Sequence, residues 1–574
     1  MNFLKQTSQI INYFKIKKIN TLIVLMIFVS LLEVIGVGII IPFVSVILDQ
    51  DLMIKYYSFF GVETLDYKLS TIILSSLIII FFLIKNFFVI FAIKKQYGIA
   101  LDILTKIRTE LFRRFITQDY ELFVNRSSSN LLNTITNVAL NFSTVFFVSL
   151  LVFLSEALIV LSILLVVLIY EFKTSLALII LFALVCFVYF KFISPRLKSS
   201  GVLRIEGEEN IIKYTKLGLQ NLKELKIYSK ENFFMEYFVK NVEKASKASL
   251  FFNTSSNFPR IGIELFAIIS MCLVVVIMTI NNFTSEKIIS TLAFYGVAIF
   301  RILPSINKIM FAYQSIRFSK KNADLITDEL FNMPSNQLEN ISQNKEINFK
   351  SEIRIENISF AYQKNKNKKI LKNISFKINK GDKVAIIGES GSGKSTLIDI
   401  LLGLLKPDQG KIIVDGTDIK ENFKSWQKNC SYVSQNLFFL DDTIEKNIAF
   451  GYNESEIEKK SIYKTLKDTQ LYDFVMSQKN KEGTVIGDNG LLVSGGQRQR
   501  IAIARAIYNN PNIIFFDEAT SSLDKDTENK ILECIFSSEF NKTIIFVTHN
   551  TLLTNHCNKI FKISDESFET IKNN

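Results

Sequence analysis

Apolar residues crowd the chain from about residue 19 to residue 310 and thin out beyond it. A helix needs about 20 mostly apolar residues to cross a hydrocarbon core. Six runs approach or exceed that length: residues 19–48, 70–93, 142–169, 175–193, 261–281 and 286–309. Only "YEFKT", residues 170–174, separates the third from the fourth, which predicts a tight hairpin. The first run is too long for a signal-peptide core and has no small-residue cleavage site, so it reads as an uncleaved span. Two connections, about 94–141 and 194–260, are polar yet keep helical spacing, as in "LTKIRTELFRRFI", residues 104–116. The helices are therefore expected to run on beyond the membrane. Residues 1–320 read as a six-span helical membrane domain, 321–350 as a polar linker and 351–574 as a soluble α/β domain.

Charge gives the orientation. Lys5, Lys15, Lys17 and Lys18 precede the first run, and seven Lys or Arg residues between Lys94 and Arg126 follow the second. The loop between these runs instead carries Asp49, Asp51, Glu63 and Asp66, and its aromatic "KYYSFFG" fits either an interfacial helix or an ordinary amphipathic connector. Both termini are thus expected on the cytoplasmic side. The net charge of +13 is mostly lysine and fits basic cytoplasmic loops. It has neither the arginine-rich arm nor the aromatic pattern of a nucleic-acid binder. Five scattered cysteines without a CxxC pair and only two histidines argue against a disulfide framework and a zinc site.

The soluble half carries chemistry in order. "KVAIIGESGSGKSTLIDILLGLL", from Lys383, is an apolar strand, a glycine-rich loop and an apolar-periodic helix. Gly388, Glu389, Ser390, Gly391, Ser392, Gly393, Lys394, Ser395 and Thr396 fit the phosphate-loop pattern in its strand–loop–helix setting. Backbone N–H groups and the helix N-terminus suit the phosphates of ATP. Lys394 suits the β- and γ-phosphates, and Ser395 suits Mg2+. "NIIFFDEATSSLD", residues 512–524, reads as a buried parallel strand ending in Asp517 and Glu518. The first acid suits magnesium, and the second can orient or deprotonate an attacking water. Between these motifs, Ser494, Gly495, Gly496 and Gln497 open a basic helix whose N-terminus can take a phosphate.

This order resembles the ATP-binding cassette family, and the whole chain resembles an exporter half-transporter of the type IV kind. The resemblance implies that Tyr362 in "SFAYQ" stacks on adenine and that Gln435 in "YVSQN" senses magnesium. It also implies that Ser494–Gln497 form the signature facing the partner's ATP and that Asp524 belongs to the loop after the acids. His549 in "IIFVTHN" would contact the γ-phosphate. Val493 stands where the signature usually has leucine, an apolar exchange. One cassette per chain implies a dimer, most simply a homodimer. Residues 119–130 and 217–229 would be the segments that couple cassette to membrane.

Cargo evidence must come from the spans. They hold Glu33, Lys85, Glu156, Arg260, Glu264, Arg301 and Lys308. Lys85, Arg260 and Arg301 fall in the inner half of the membrane, and Arg301, Ser305 and Lys308 share one helical stripe with Pro304 alongside. Two readings stand together: an anion-receiving belt, or internal pairing, with Arg260 and Glu264 at i, i+4 and Glu33 or Glu156 neutralising another base. "FVSLLEVIGVGIIIPF", "NFPRIGIE" and "AIFRILPSINKI" are similar to bacterial lipid-linked oligosaccharide flippases. That resemblance implies a polyprenyl-pyrophosphate-linked glycan as cargo, protein glycosylation as context and the inner membrane as location. Export of another lipid, a drug or a peptide is the alternative; against peptides, no peptidase domain precedes the spans. An ATP-gated channel or receptor is a third class.

Overall fold

The computed structural model describes residues 2–48, 67–170, 172–281, 283, 285–333, 346–362, 369–518, 525–536, 542–548, 551–564 and 568–571, apart from some helical side chains. The chain divides into two compact units. The first comprises Met1–Thr117 and Arg126–Ser335, the second Gln118–Asn125 and Asn336–Asn574.

The first unit is helical throughout its described residues. Its main elements are α1 (Asn2–Tyr13), α2 (Lys18–Leu48), α3 (Tyr67–Thr117), α4 (Val148–Tyr170), α5 (Phe172–Gln220), α6 (Glu231–Ile280) and α7 (Ser285–Phe318). The six apolar runs fall on α2 to α7. Among the described residues, four helices are long and apolar enough to cross a membrane: Lys18–Gly36, Thr71–Thr117, Asn141–Leu165 and Glu231–Ile280. The runs at 175–193 and 286–309 lie on α5 and α7, where many side chains fall outside the described residues. The aromatic loop segment 55–61 lies outside them altogether.

With 51 residues, α3 is about 76 Å long at ~1.5 Å per residue, more than twice the ~30 Å hydrocarbon core. Its two ends bury different things. In its apolar stretch Leu83, Phe87 and Ile90 face outward, as lipid-facing residues do. Further along, Ile99, Ile103, Ile107 and Leu111 repeat every four residues and are fully buried. They pack with Ile10, Leu22, Phe142, Phe146, Ile326 and Leu330, so the buried core sits where the helical extension meets the ends of the apolar runs. Charges staple that core: Arg126 pairs with the buried Glu329. Hydrogen bonds from Arg113, with help from Arg114 and the Tyr13 hydroxyl, hold the Glu110 carboxyl down to about 2.

The expected linker is shorter than its sequence suggests. Lys320–Thr327 is a helix that buries Ala323 and Ile326 in the first unit, while Ile347 and Phe349 are buried in the core of the second.

The second unit holds two sheets. An antiparallel one has the order β2 (Leu371–Asn379), β1 (Glu352–Phe360), β4 (Gln409–Val414), β5 (Thr417–Asp418). The other runs β10 (Phe568–Ile571), β9 (Lys559–Ile563), β3 (Lys383–Gly388), β8 (Thr543–Val547), β7 (Ile513–Asp517), β6 (Cys430–Val433). All its pairs are parallel except β9–β10. Strands β7 and β8 are buried at every position, as a sheet covered on both faces demands. Alternate residues of β3 serve opposite cores: Val384 and Ile386 one, Ala385 the other.

Gly201 of α5 lets the backbones of α5 and α7 nearly touch, because a Cβ there would stand 1.8 Å from the Phe318 carbonyl oxygen. Gly201→Ala must push the helices apart, at a cost of about 1–3 kcal/mol. It should lower the thermal unfolding midpoint of the solubilised protein; an unchanged midpoint would show that this crossing is not tight.

Candidate functional site

The parallel register assembles the site. Ile386 of β3 stands beside Val547 of β8, and Val547 beside Asp517 of β7. Val433 of β6 stands beside Phe516. Parallel strands end together, so the residues that follow β3, β6, β7 and β8 share one edge, where open α/β sheets bind ligands. After β3 comes the phosphate loop, after β6 Gln435, after β7 Glu518 and after β8 Thr548. His549 and Asp524 lie outside the described residues.

The loop is built to approach a ligand closely. Gly391 and Gly393 have φ of +84° and +95°, left-handed values that favour glycine. A Cβ on Gly393 would also stand 2.8 Å from the Leu371 side chain. Gly393 caps the helix α8 (Lys394–Leu401). Buried Lys394 donates from Nζ to the carbonyls of Gly388 and Glu389, at 2.9 and 2.8 Å. Burial pushes its ammonium below the ordinary lysine range, and the negative charges of Glu518 and Asp517 oppose that shift. The Ser392 hydroxyl is buried without a partner, an orphan that a phosphate oxygen would satisfy.

The strand-end acids are held in place. Asp517 is buried, and burial raises its carboxyl, with hydrogen bonds from Tyr432 and Ser395 pulling the other way. The Tyr432 hydroxyl donates to Asp517 Oδ2 at 3.2 Å. Glu518 has φ +51°, a rare value for a residue with a Cβ. Its N–H donates to the Val547 carbonyl at 3.1 Å, and its Oε2 accepts from Gln435 Nε2 at 2.8 Å. Tyr362 sits edge-on against Phe360, with its hydroxyl 3.3 Å from Thr396 Oγ1.

The structure thus brings together the phosphate loop, Asp517, Glu518, Gln435 and Tyr362. The signature stands apart as a helix start of its own. Ser494 caps helix α9 (Gly495–Tyr508) in a reciprocal capping box with Gln497, and Leu491 and Leu492 before it are exposed.

Three further residues could not be picked out from the sequence. Tyr432 was visible only as an aromatic near Gln435. Asp399 lies on α8, and burial together with Asp517 pushes its carboxyl up to about 6. Tyr120, in the short helix Tyr120–Val124 counted with this unit, has its hydroxyl raised by burial and by Asp399 and Tyr362. Next to it, Asp119 accepts from Lys406 Nζ at 2.9 Å.

In the membrane unit three of the basic residues singled out above are paired. Lys85 Nζ lies 3.2 Å from Glu33, with both side chains buried. Arg260 pairs with Glu264 at 3.1 Å, its guanidinium side chain 71% exposed. Lys308 pairs with Glu156 at 2.6 Å. Pairing, rather than a belt of open bases, is the arrangement for these three. The side chain of Arg301 lies outside the described residues.

Comparison with known proteins decides the family. Residues 12–302 match the model of the ABC transporter transmembrane region, and residues 371–521 that of the ABC transporter. The chain belongs to the ATP-binding cassette transporters. The ATP-dependent lipid A-core flippase of Pasteurella multocida (strain Pm70) is 36% identical over 38% of this chain, a match spanning 37% of that relative. The flippase of the same name from Wigglesworthia glossinidia brevipalpis is 29% identical over 78% of this chain and 76% of its own length. In fold, this transporter superposes with a TM-score of 0.76 on a structure described as a bacterial Atm1-family ABC exporter with ATP bound. That likeness is at 18% identity and covers 96% of this chain and 93% of the other.

Because the folded Asp399 carboxyl binds its proton more tightly than an unfolded one, stability falls as pH rises from about 4 to about 6. Asp399→Asn should flatten this part of the pH–stability curve in thermal unfolding. A variant curve parallel to the wild type would remove Asp399 as its source.

Proposed function

We propose that this transporter works as a homodimer that hydrolyses ATP to flip a polyprenyl-pyrophosphate-linked oligosaccharide across a bacterial inner membrane, with both termini cytoplasmic. The observation that carries the ATPase part is the Gln435–Glu518 hydrogen bond at the strand edge beside the phosphate loop. The amide fixes the Glu518 carboxylate, which orients and deprotonates the water attacking the γ-phosphate. Lys394 neutralises the phosphate charge, Ser392 and the loop N–H groups hold it, and His549 contacts the γ-phosphate. Ser395, Asp517 and Gln435 offer the hard oxygen ligands that Mg2+ prefers, and bound magnesium would supply further charge neutralisation. Tyr362 stacks on adenine, and Asp524 lies in the loop beyond the acids.

Dimerisation follows from the exposed signature. Its helix N-terminus at Ser494–Gln497 is preformed to bind a phosphate and takes the ATP held by the partner's phosphate loop. The short helix Leu222–Ile227, with Leu222, Ile227 and Tyr228 exposed, supports a coupling role for residues 217–229 against a second copy. Residues 119–130 are the other coupling segment.

The cargo reading rests on the similarity of residues 28–43, 257–264 and 298–309 to the flippase PglK. A pyrophosphate would meet Arg260 directly, since that guanidinium is largely exposed beside Glu264. Lys85 would reach it only by exchanging Glu33, and Arg301 completes the set. Two relatives carry the name of a lipid A-core flippase, which favours another lipid over a drug or peptide as the second reading.

Glu518→Gln should lower ATP turnover at least ~100-fold while ATP binding persists; full turnover would remove Glu518 from this role. In proteoliposomes, ATP should drive flipping of the polyprenyl-pyrophosphate glycan, and Arg301→Ala or Arg260→Ala should slow it. Flipping of lipid A with the glycan lipid left untouched would favour the second reading.

A further inference from the structure

Helices α2, α3, α4 and α7 line a partly open cavity of about 250 Å³ within the first unit. Its polar lining is Glu33, Gln96, Ser155, Glu156, Ser305 and Lys308, set among aliphatic side chains, with half-exposed Tyr97 at its edge. At ~30 Å³ per water this space holds about eight waters, room for one ring of a ligand.

The charges around it cancel. Glu33 is met by Lys85, which lies behind it, and Glu156 by Lys308, so among the described residues two carboxylates face two ammoniums. An added ion finds no unpaired opposite charge in this wall, whose one largely exposed charge, the 57% exposed Lys308 side chain, is already paired with Glu156. A neutral ligand leaves the balance intact. Within this wall one acceptor is unspent. Glu156 accepts from Lys308 through Oε1, while its Oε2 is buried with no partner among the described residues, on a side chain 9% exposed. A carboxylate oxygen out of water calls for an O–H or N–H donor. Gln96 and Ser305 add groups able to both donate and accept, and Ser155, whose hydroxyl donates to the Val152 carbonyl, adds an acceptor, the mixture that a ring of hydroxyls requires.

We propose that this cavity binds a neutral, hydroxyl-bearing head group of an amphiphile, a single sugar ring or comparable polyol, with Glu156 Oε2 accepting from a ligand hydroxyl. Ser155 and Ser305 complete the contacts, and the ligand's chain lies along the aliphatic wall. This deepens the glycolipid reading, on which it rests for the natural ligand: the site takes a sugar near the lipid, while the pyrophosphate is met elsewhere.

The test uses the full-length protein in lipid nanodiscs and three dodecyl photoprobes with the same diazirine, carrying a glucoside, a phosphate or a trimethylammonium head. Labelled peptides are read by mass spectrometry. The glucoside should label the peptides containing Ser155, Glu156 and Ser305 several-fold more than either charged probe. Glu156→Gln, which replaces the charged acceptor by a neutral amide, should cut that labelling about tenfold, the scale of one hydrogen bond to a charged group. Ser155→Ala and Ser305→Ala leave both ion pairs intact and keep the test open if Glu156→Gln does not fold; each should reduce labelling several-fold. Equal labelling by a charged probe, or glucoside labelling unchanged in all folded variants, overturns the site. Glycan-lipid flipping with such unchanged labelling would sink this inference alone. Glu156-dependent glucoside labelling without glycan-lipid flipping would instead sink the cargo reading and leave the site standing.

Discussion

The cassette depends on one constraint, the parallel register of β3, β8, β7 and β6. Parallel strands end at the same edge, so four segments far apart in sequence leave the sheet side by side. Each contributes a different chemical type: a backbone cradle with Lys394, a hydroxyl-bearing segment after β8, a pair of carboxylates and an amide. Shifting one strand by a residue would turn its buried row to the opposite face and carry Asp517 or Gln435 away from the loop. The same register holds Glu518 in its left-handed conformation, because its N–H is tied to the Val547 carbonyl.

The membrane unit obeys a different rule, that a charge withdrawn from water must meet its opposite. Glu33 with Lys85 and Glu156 with Lys308 join α2 to α3 and α4 to α7. These pairs do for the lipid-embedded part what apolar packing cannot, since lipid is as apolar as leucine. Apolar packing takes over where the helices enter water. There Ile99, Ile103, Ile107 and Leu111 form an ordinary buried stripe against Phe142, Phe146 and Leu330. One helix thus changes solvent along its length, and its buried face changes from charge-paired to aliphatic.

How much was legible in the sequence depended on the range of the interaction. The six apolar runs and the helical extensions were readable because hydrophobic length and period are local properties. So were the phosphate loop and the signature, whose parts are contiguous. Folded ends of the linker segment were not readable: Ala323 and Ile326 lie on a short polar-looking helix, and Ile347 and Phe349 are isolated apolar residues that only a folded core reveals. The basic residues were visible in the sequence, but their partners were only a choice among acids.

By itself, then, the sequence determined the number and length of the apolar runs, the order of the motifs and the phosphate-binding loop, because each is written in neighbouring residues. Only the tertiary structure decided which carboxylate neutralises which lysine, since Glu33 and Lys85 are 52 residues apart and Glu156 and Lys308 are 152. It likewise supplied Tyr432 as the donor to Asp517, across 85 residues. Such contacts are set by helix packing and strand order, and no local pattern of residue types encodes them.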